Sequence, residues 1–533
     1  MINDIYTAGI ASGWSVTDAS TYTSDTTLEA DVVIVGSGAG GGTAAEILAQ
    51  AGFKVLIIEE GPLKTSDSFR HMDEAQAYKD LYQEAGGRAT SDGAIAVLQG
   101  RSVGGSTTVN WTSSFRTPEQ TLNHWADKHG VVGSSSEDMA PWFTQMEQRL
   151  GVNPWRQAPN PNNSVLARGA EKLGWEAHGI PRNVVGCWDS GYCGYGCPVN
   201  AKQSMLVSTI PAALKLGASL VHRLSVQRIE HNNGKVSGLT AVALAENGVQ
   251  PTGVTVKIKA THYVLAGGAI NTPALLLRSE APNPHQQTGK HTCIHPVNLT
   301  MAEMPEEIHG YYGAPQSIAS NEFLWPDASE NFPGYKIEVP PIYPALSAAV
   351  LSAHGQQLAD SVGALPHSNA MLALVRDGFD EGSQGGQVRV DSNGFPLLDY
   401  DLTDYLRRGF KHAYLRMAEI QFAAGAKRVM PSHLDGQWAS TWREAQQHIE
   451  NLSYEKFRMS LFTAHLMGGA AMGEDPKQSV VNSYGRHHQL ENLSVLDGSV
   501  FPTSLGVNPQ LSVYGFTAKN ATKLAQDLGA KVS

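Results

Sequence analysis

The chain has 533 residues, 41% hydrophobic and 17% charged, which is the composition of a soluble globular protein with room for two cores and excludes a disordered one. A net charge of -11 without any Lys/Arg run excludes a nucleic-acid groove, because such a groove needs cations to neutralise phosphate. Four cysteines make no disulfide framework, the first Lys or Arg is Lys54, and the most apolar run, Tyr343 to Ala353, is too short for a bilayer. A cytoplasmic protein without a secretory signal or transmembrane segment is therefore expected.

Residues 1–27 are polar, rich in Ser and Thr and without a period, which predicts an extended N-terminal arm. Val32 to Val35 then form an apolar strand that breaks at Gly36-Ser37-Gly38-Ala39-Gly40-Gly41. Thr43 to Gln50 reads as a small-residue helix and Lys54 to Ile58 as a second strand. This is a βαβ unit. Gly36 suits the tight turn, Gly38 lets the main chain approach a pyrophosphate, and Gly41 lets helix and strand pack closely, with phosphates at the helix N-terminus. Glu59, eighteen residues after Gly41, closes the second strand where a carboxylate can accept hydrogen bonds from ribose hydroxyls.

A second glycine-punctuated loop runs from Gly100 to Trp111, with Gly104 and Gly105 at its centre. Pro118 to Arg182 mixes helix and loop without a motif. Ser219 to Glu230, Gly234 to Ala241 and Gly253 to Ala260 read as a small β-meander, and His262 to Ala266 as a strand returning to the parallel sheet. Thr272 is a candidate cap for the helix that follows, with Pro273 at its first position. Residues 297–457 change character, and imply a second domain: Gln387 to Asp391 and Pro396 to Asp401 read as a hairpin of an antiparallel sheet. Thr403 caps a helix carrying Leu406, Phe410, Met417 and Ile420 and ending at Gly425.

The last segment carries the chemistry. His465 precedes the glycine-rich run Gly468 to Gly473, and the strand Leu493 to Asp497 leads through Gly498 to Gly506-Val507-Asn508-Pro509-Gln510, where a terminal helix starts at Pro509. A single histidine is more often a satisfied core residue than a reactive one. Asn508 before Pro509 is also a good helix cap whatever its chemistry.

Taken together these blocks resemble the glucose-methanol-choline (GMC) oxidoreductase family, from about Asp31 to the C-terminus. GRSVGGSTTVN at Gly100 to Asn110 looks like the family's first signature. GAINTPALLLRS at Gly268 to Ser279 looks like the second, departing only at Glu280, where glycine is expected. His465 and Asn508 match the catalytic histidine and its His-or-Asn partner, and the surroundings of Asn508 are most similar to the long-chain alcohol oxidase and cholesterol oxidase branches. The resemblance implies an α/β plus α+β protein: a Rossmann-like FAD-binding domain from 28–115, 186–296 and 458–533, and a discontinuous substrate domain on an antiparallel sheet from 116–185 and 297–457. It also implies FAD, with Gly36, Gly38, Gly41 and Glu59 on the ADP moiety, Val226 at the adenine, and Gly104, Gly105, Asn110, Asp497, Gly498 and Gln510 at the flavin. Val109 stands where covalent members carry histidine, so the FAD should be non-covalent.

The activity implied is oxidation of a small-molecule alcohol to aldehyde or ketone by hydride transfer to flavin N5. His465, of reference pKa about 6.5, is the expected general base, and Asn508 the expected hydrogen-bond donor to the alcohol oxygen. Oxygen, a quinone or a redox protein would accept the electrons. Cys187, Cys193 and Cys197 leave a second path open. Three cysteines, with only Cys293 besides, fit neither a four-ligand zinc site nor complete disulfide pairing. Their spacing is similar to that of sugar dehydrogenases of the family in which three cysteines hold a [3Fe-4S] cluster, so a cluster relaying electrons from a sugar or polyol stands beside an inert cysteine loop. A non-oxidative flavin-containing lyase is the third alternative.

Overall fold

The structure is a computed structural model that describes residues 4–155, 157–351 and 354–530. The first three residues of the expected arm and the last two of the apolar run 343–353 lie outside them.

Val32, Val33, Ile34 and Val55 to Ile58 are all buried, inside the strands Thr26–Val35 and Val55–Glu59. Strands apolar on both faces must be covered on both, as in a parallel sheet flanked by helices. The helix Ala39–Gln50 joins these two. They lie in an eight-stranded sheet of order Ser15–Asp18, Ser219–His222, Val55–Glu59, Thr26–Val35, Pro251–Leu265, Lys235–Leu244 and Leu224–Asn232, with Leu493–Val495 also paired to Pro251–Leu265. Register puts Ile58 beside Val35, Val35 beside Leu265 and Leu265 beside Val495, all in parallel pairs. Four strands therefore end on one line, where crevices form in open α/β sheets.

Three expectations need correction. Residues 1–27 are not simply an extended arm: the helix Ile5–Ala11 is capped by Asp4, and Ser15–Asp18 pairs in parallel with Ser219–His222 as an edge strand. A short helix and a half-exposed edge strand need few apolar residues, so no period marked them. The strand expected over Ser219 to Glu230 breaks at Arg223 (φ 54°), its first part joining the parallel run and its second the meander. Conversely, Gly253 to Ala260 and His262 to Ala266 belong to one continuous strand, Pro251–Leu265.

A second eight-stranded sheet has the order Ile95–Val97, Leu461–Thr463, Val297–Glu303, Ser368–Val375, Tyr335–Glu338, Ile318–Ser320 and His178–Gly179, with Arg428–Pro431 also paired to Val297–Glu303. It is antiparallel except between Leu461–Thr463 and Ile95–Val97. The helix Asp404–Ala423 packs on it, with Leu406, Phe410, Met417 and Ile420 buried. The hairpin Gln387–Val390 and Pro396–Asp399 forms as read, but as a separate two-stranded ribbon rather than part of this sheet. Trp125 stacks on Phe501 with ring centroids 5.3 Å apart, and its indole N–H donates to the Thr503 hydroxyl at 2.7 Å. That contact pins the helix Glu119–His129 to the C-terminal segment. Among the described residues no helix is long and apolar enough to cross a membrane.

Thr403 accepts from the Leu406 N–H at 3.3 Å, the expected N-cap. Thr403→Ala is expected to cost about 1 kcal/mol of unfolding free energy and Thr403→Ser little. Equal urea-unfolding midpoints for the two variants would refute the cap.

Candidate active site

At the common end of the four parallel strands the chain turns at Glu59, Gly36, Ala266 and Leu496, and these turns face one continuous cavity. The three motif glycines sort by what a side chain there would meet. A Cβ at Gly36 (φ +100°) would lie 2.3 Å from the Ala266 carbonyl oxygen, and one at Gly41 1.9 Å from that of Gly36. Both are bare because protein backbone presses on them. A Cβ at Gly38 would meet only the Gly105 Cα, at 3.8 Å, an ordinary contact. Nothing in the protein demands glycine at 38, so its bareness is left for a ligand. Gly38 also opens the helix Ala39–Gln50 without a side-chain cap, leaving the first N–H groups for an anion. The cradle fits the pyrophosphate of a dinucleotide such as FAD.

Glu59 is almost fully enclosed. Its Oε2 accepts from the Ser37 N–H at 3.0 Å and hydroxyl at 2.6 Å, and its Oε1 from the Gly61 N–H at 2.9 Å. Burial pushes its pKa up and these bonds oppose the rise. The neighbouring Glu60 instead takes Arg101 at 3.2 Å and Gln83 at 2.7 Å. Val226 lines the same end of the cavity, its carbonyl taken by Arg278 Nη2 at 2.9 Å.

The Gly100–Trp111 loop crosses the middle. Gly104 N–H donates to the Ser37 hydroxyl at 3.0 Å, and a Cβ at Gly105 would lie 2.7 Å from the Gly38 Cα, so the two glycine loops touch. Gly105, Asn110, Asp497, Gly498 and Gln510 line the cavity, whereas Gly41 and Gly104 lie behind its wall. Asp497 and Gln510 are polar hubs. Asp497 accepts from the Gly268 N–H, the Thr272 hydroxyl, and both the N–H and hydroxyl of Ser499. Thr272 is thus no N-cap: the helix begins earlier, at Gly268, and Pro273 lies inside it. Gln510 Oε1 receives Asn110 Nδ2 at 2.7 Å and the Tyr514 hydroxyl at 3.0 Å, while its Nε2 serves the Ser113 carbonyl, Ser114 and Asn183.

His465 and Asn508 meet at the far end, Nε2 to Nδ2 at 3.5 Å. Asn508 does not cap the terminal helix Gln510–Asp527; Pro509 occupies the cap position without a side-chain bond. The Asn508 amide instead donates to Glu338 Oε2 at 3.1 Å, leaving its own Oδ1 buried without a partner. Burial pulls the His465 imidazole down to about 4 from 6.5. Burial likewise raises the carboxyl pKa of Glu338, against Lys336 and the Asn508 and Gln316 bonds. Val297, Leu372, Leu374, Phe462 and Trp111 wall this end, with Thr112, Ser113 and Gln316 among the polar lining.

Two residues here escaped the sequence reading. His295 Nδ1 lies 3.2 Å from His465 Nδ1, and Glu338 carries Asn508. Glu338 did leave a signal, an acid within the otherwise apolar Ile337 to Pro340. His295 left none.

The cysteine loop yields no cluster site. Cys187, Cys193, Cys197 and Cys293 are free, and among the described residues no three His, Cys, Asp or Glu side chains gather as metal ligands. The three loop sulfurs are engaged locally: Cys187 with the Asp189 N–H at 3.4 Å, Cys193 with Arg182 Nη2 at 3.7 Å, Cys197 with the Lys202 N–H at 3.5 Å.

GMC oxidoreductase family models match residues 78–297 and 382–517, and an NAD(P)-binding Rossmann-like model matches 34–63. A long-chain-alcohol oxidase of Arabidopsis thaliana, FAO4A, is 30% identical over 507 residues, covering 91% of this chain and 67% of that protein. An uncharacterized GMC-type oxidoreductase of Mycobacterium tuberculosis, Rv0492c, is 31% identical over 487 residues, covering 91% and 74%. Among solved structures, pyridoxine 4-oxidase from Mesorbium loti superposes with a TM-score of 0.67 at 17% identity, over 93% of this chain and 99% of that one, and formate oxidase with 0.66 at 15%, over 95% and 99%. At such identities these two establish the fold alone.

Gly38→Ala should fold normally and lose dinucleotide. Flavin-free variant and parent are expected to melt together, while FAD affinity falls at least about ten-fold, the equivalent of 1.4 kcal/mol. Full flavin occupancy in the purified variant would count against the cradle.

Proposed function

The chain belongs to the GMC oxidoreductase family and is an FAD-dependent alcohol oxidoreductase, and we propose that it holds FAD non-covalently along the cavity and oxidises an apolar primary or secondary alcohol at its His465–Asn508 end. The observation that carries this is the convergence of those two side chains, each bonded to a residue 170 positions away (His295 and Glu338), at the end of a cavity that begins on the glycine turn. FAD, when bound, supplies the acceptor for the hydride leaving the carbinol carbon.

The chain's own residues hold the substrate. His465 and Asn508 bracket the hydroxyl oxygen, fixing the carbinol carbon, which is the orientation part of the rate. The aliphatic and aromatic wall excludes water and favours an apolar alcohol over a sugar, whose hydroxyls would be left without partners. The long-chain-alcohol oxidase relative agrees with that preference. Glu59 with Ser37 lies at the ribose, the Gly38 cradle at the pyrophosphate, and Val226 at the adenine. Val109 offers no nucleophile for a covalent link. The resemblance makes His465 the general base; what supports a proton-handling role is a half-buried ring that desolvation keeps uncharged at neutral pH.

An anaerobic flavin-bleaching screen over aliphatic, aromatic, steroid and sugar alcohols tests the reading, with bleaching by the apolar members expected and bleaching by sugars alone contrary to it. His465→Ala should abolish bleaching in a protein that stays yellow, and Asn508→Ala should slow it. Because the ring's pKa is depressed, its uncharged form persists as pH falls and is lost only through about 4. The bleaching rate is therefore expected to hold level from pH 8 down to about 5; an acid limb centred at the ordinary histidine value would contradict this.

A further inference from the structure

Arg88 lies buried behind the cavity wall, where its bonds fix two other side chains. Its Nη1 donates to Gln99 Oε1 at 2.8 Å and to Asn271 Oδ1 at 3.0 Å, one hydrogen for each. A guanidinium only donates, so neither carboxamide can be reversed without setting N–H against N–H. Both NH2 groups therefore point away from the arginine. Gln99 and Asn271 line the cavity, and among the described residues no acceptor takes either nitrogen. Gln99 is 8% exposed, so its free donor faces the cavity and not bulk water.

The turns around the pair place it. A Cβ at Gly36 would lie 3.1 Å from the Gly267 nitrogen, and one at Gly268 3.3 Å from Gln99 Nε2, so the turn leading to Asn271 touches both the opening glycine turn and Gln99. Gln83 is the contrast. It too receives Arg88, Nη2 to Oε1 at 3.4 Å, but its nitrogen is spent on Glu60 Oε1 at 2.7 Å. Glu84 meets the arginine at 2.8 Å with a side chain 46% exposed, so water screens that ion pair. The field of the cation falls on the two amides, whose N–H groups it polarises.

We propose that Gln99 and Asn271 are a pair of donors to the pyrophosphate of FAD, beside the N–H groups at Gly38, and that Arg88 is the positioning residue that aims both. This rests on the reading that FAD lies along the cavity. The pyrophosphate is the part of the cofactor that such a pair fits, because it is anionic and a donor bonded to an anion forms the stronger kind of hydrogen bond. The carboxamides add those bonds while the full charge stays behind them on Arg88. Asn271 also gives a task to the block Gly268 to Ser279, which the alcohol chemistry leaves unused.

The test reads flavin binding, not turnover. Holoenzyme is diluted, and the rise of free-flavin fluorescence gives the FAD Kd. Gln99→Glu and Asn271→Asp keep an oxygen on Arg88 but turn a second oxygen toward the anion, and each is expected to weaken FAD at least about ten-fold in protein that still folds. Gln99→Leu and Asn271→Leu, which lose the donors without adding charge, carry the comparison should an acidic variant not fold. ADP, competing against FAD, should lose affinity by the same factor. Arg88→Gln should weaken FAD in the parent yet change nothing further in the double variant Gln99→Leu/Asn271→Leu, a result that a merely structural arginine would not give. Full FAD affinity in both donor variants, weakened FAD with ADP affinity intact, or additive losses for Arg88→Gln would each overturn the proposal. A parent that takes up no flavin would end the cofactor reading itself, and this one with it.

Discussion

Ile58, Val35, Leu265 and Val495 stand side by side at the carboxyl ends of parallel strands, and this one line of register determines which turns can face one another. Because the pairing repeats every residue but the side chains alternate, a slip of one position in any of these strands would exchange the side chains packed on its two covered faces and displace every turn at its end. The strands' near-continuous burial forbids the slip, and so the glycine turn, the ribose-side carboxylate and the Leu496-Asp497 turn arrive at one cavity from positions hundreds of residues apart. Hydrophobic packing thereby places groups whose own interactions are polar.

Those polar groups are then fixed by saturation. Asp497 takes four hydrogen bonds from three residues, and Gln510 uses both ends of its amide on five partners. Removing either would strand several buried donors and acceptors at once, each costing about 1–3 kcal/mol if left unmet. Both line the cavity, so the flavin contact expected of them would come from groups that the protein already holds in place. Asn508 is the contrast, a buried amide with one oxygen still unspent. An unspent acceptor in a dry site is where a ligand's hydrogen belongs.

What could be read from the sequence follows the range of the forces involved. The βαβ unit, the capped helix at Thr403 and the His465 and Asn508 blocks are governed by neighbours within a few residues, and the structure carries them with bounds shifted by small amounts. The break at Arg223 was illegible because a positive φ at arginine has no local signature, and the edge strand Ser15–Asp18 because its partner lies two hundred residues on. Local preference also misled. Asn508-Pro509 has the chemistry of a helix start, but a buried carboxylate on Glu338 is a stronger claim on the amide than the N–H groups of the helix's first turn.

The cysteine loop also braces the cavity mechanically. Lys202 is fully buried and spends its ammonium on the carbonyls of Thr108, Asn110 and Cys193, tying the glycine loop at the cavity to the cysteine loop behind it. Burial draws its pKa down to about 8, so three carbonyl dipoles stand in for a counter-ion. Arg182, equally buried, reaches Thr112, the Trp111 carbonyl and the Cys193 sulfur, and lies over the Trp155 ring at 4.8 Å. Two cations without an acid partner among the described residues make this loop rigid only while its backbone oxygens point inward. The geometry of Asn110, and through it Gln510 and the start of the terminal helix, is therefore held from the side of the cavity away from the substrate.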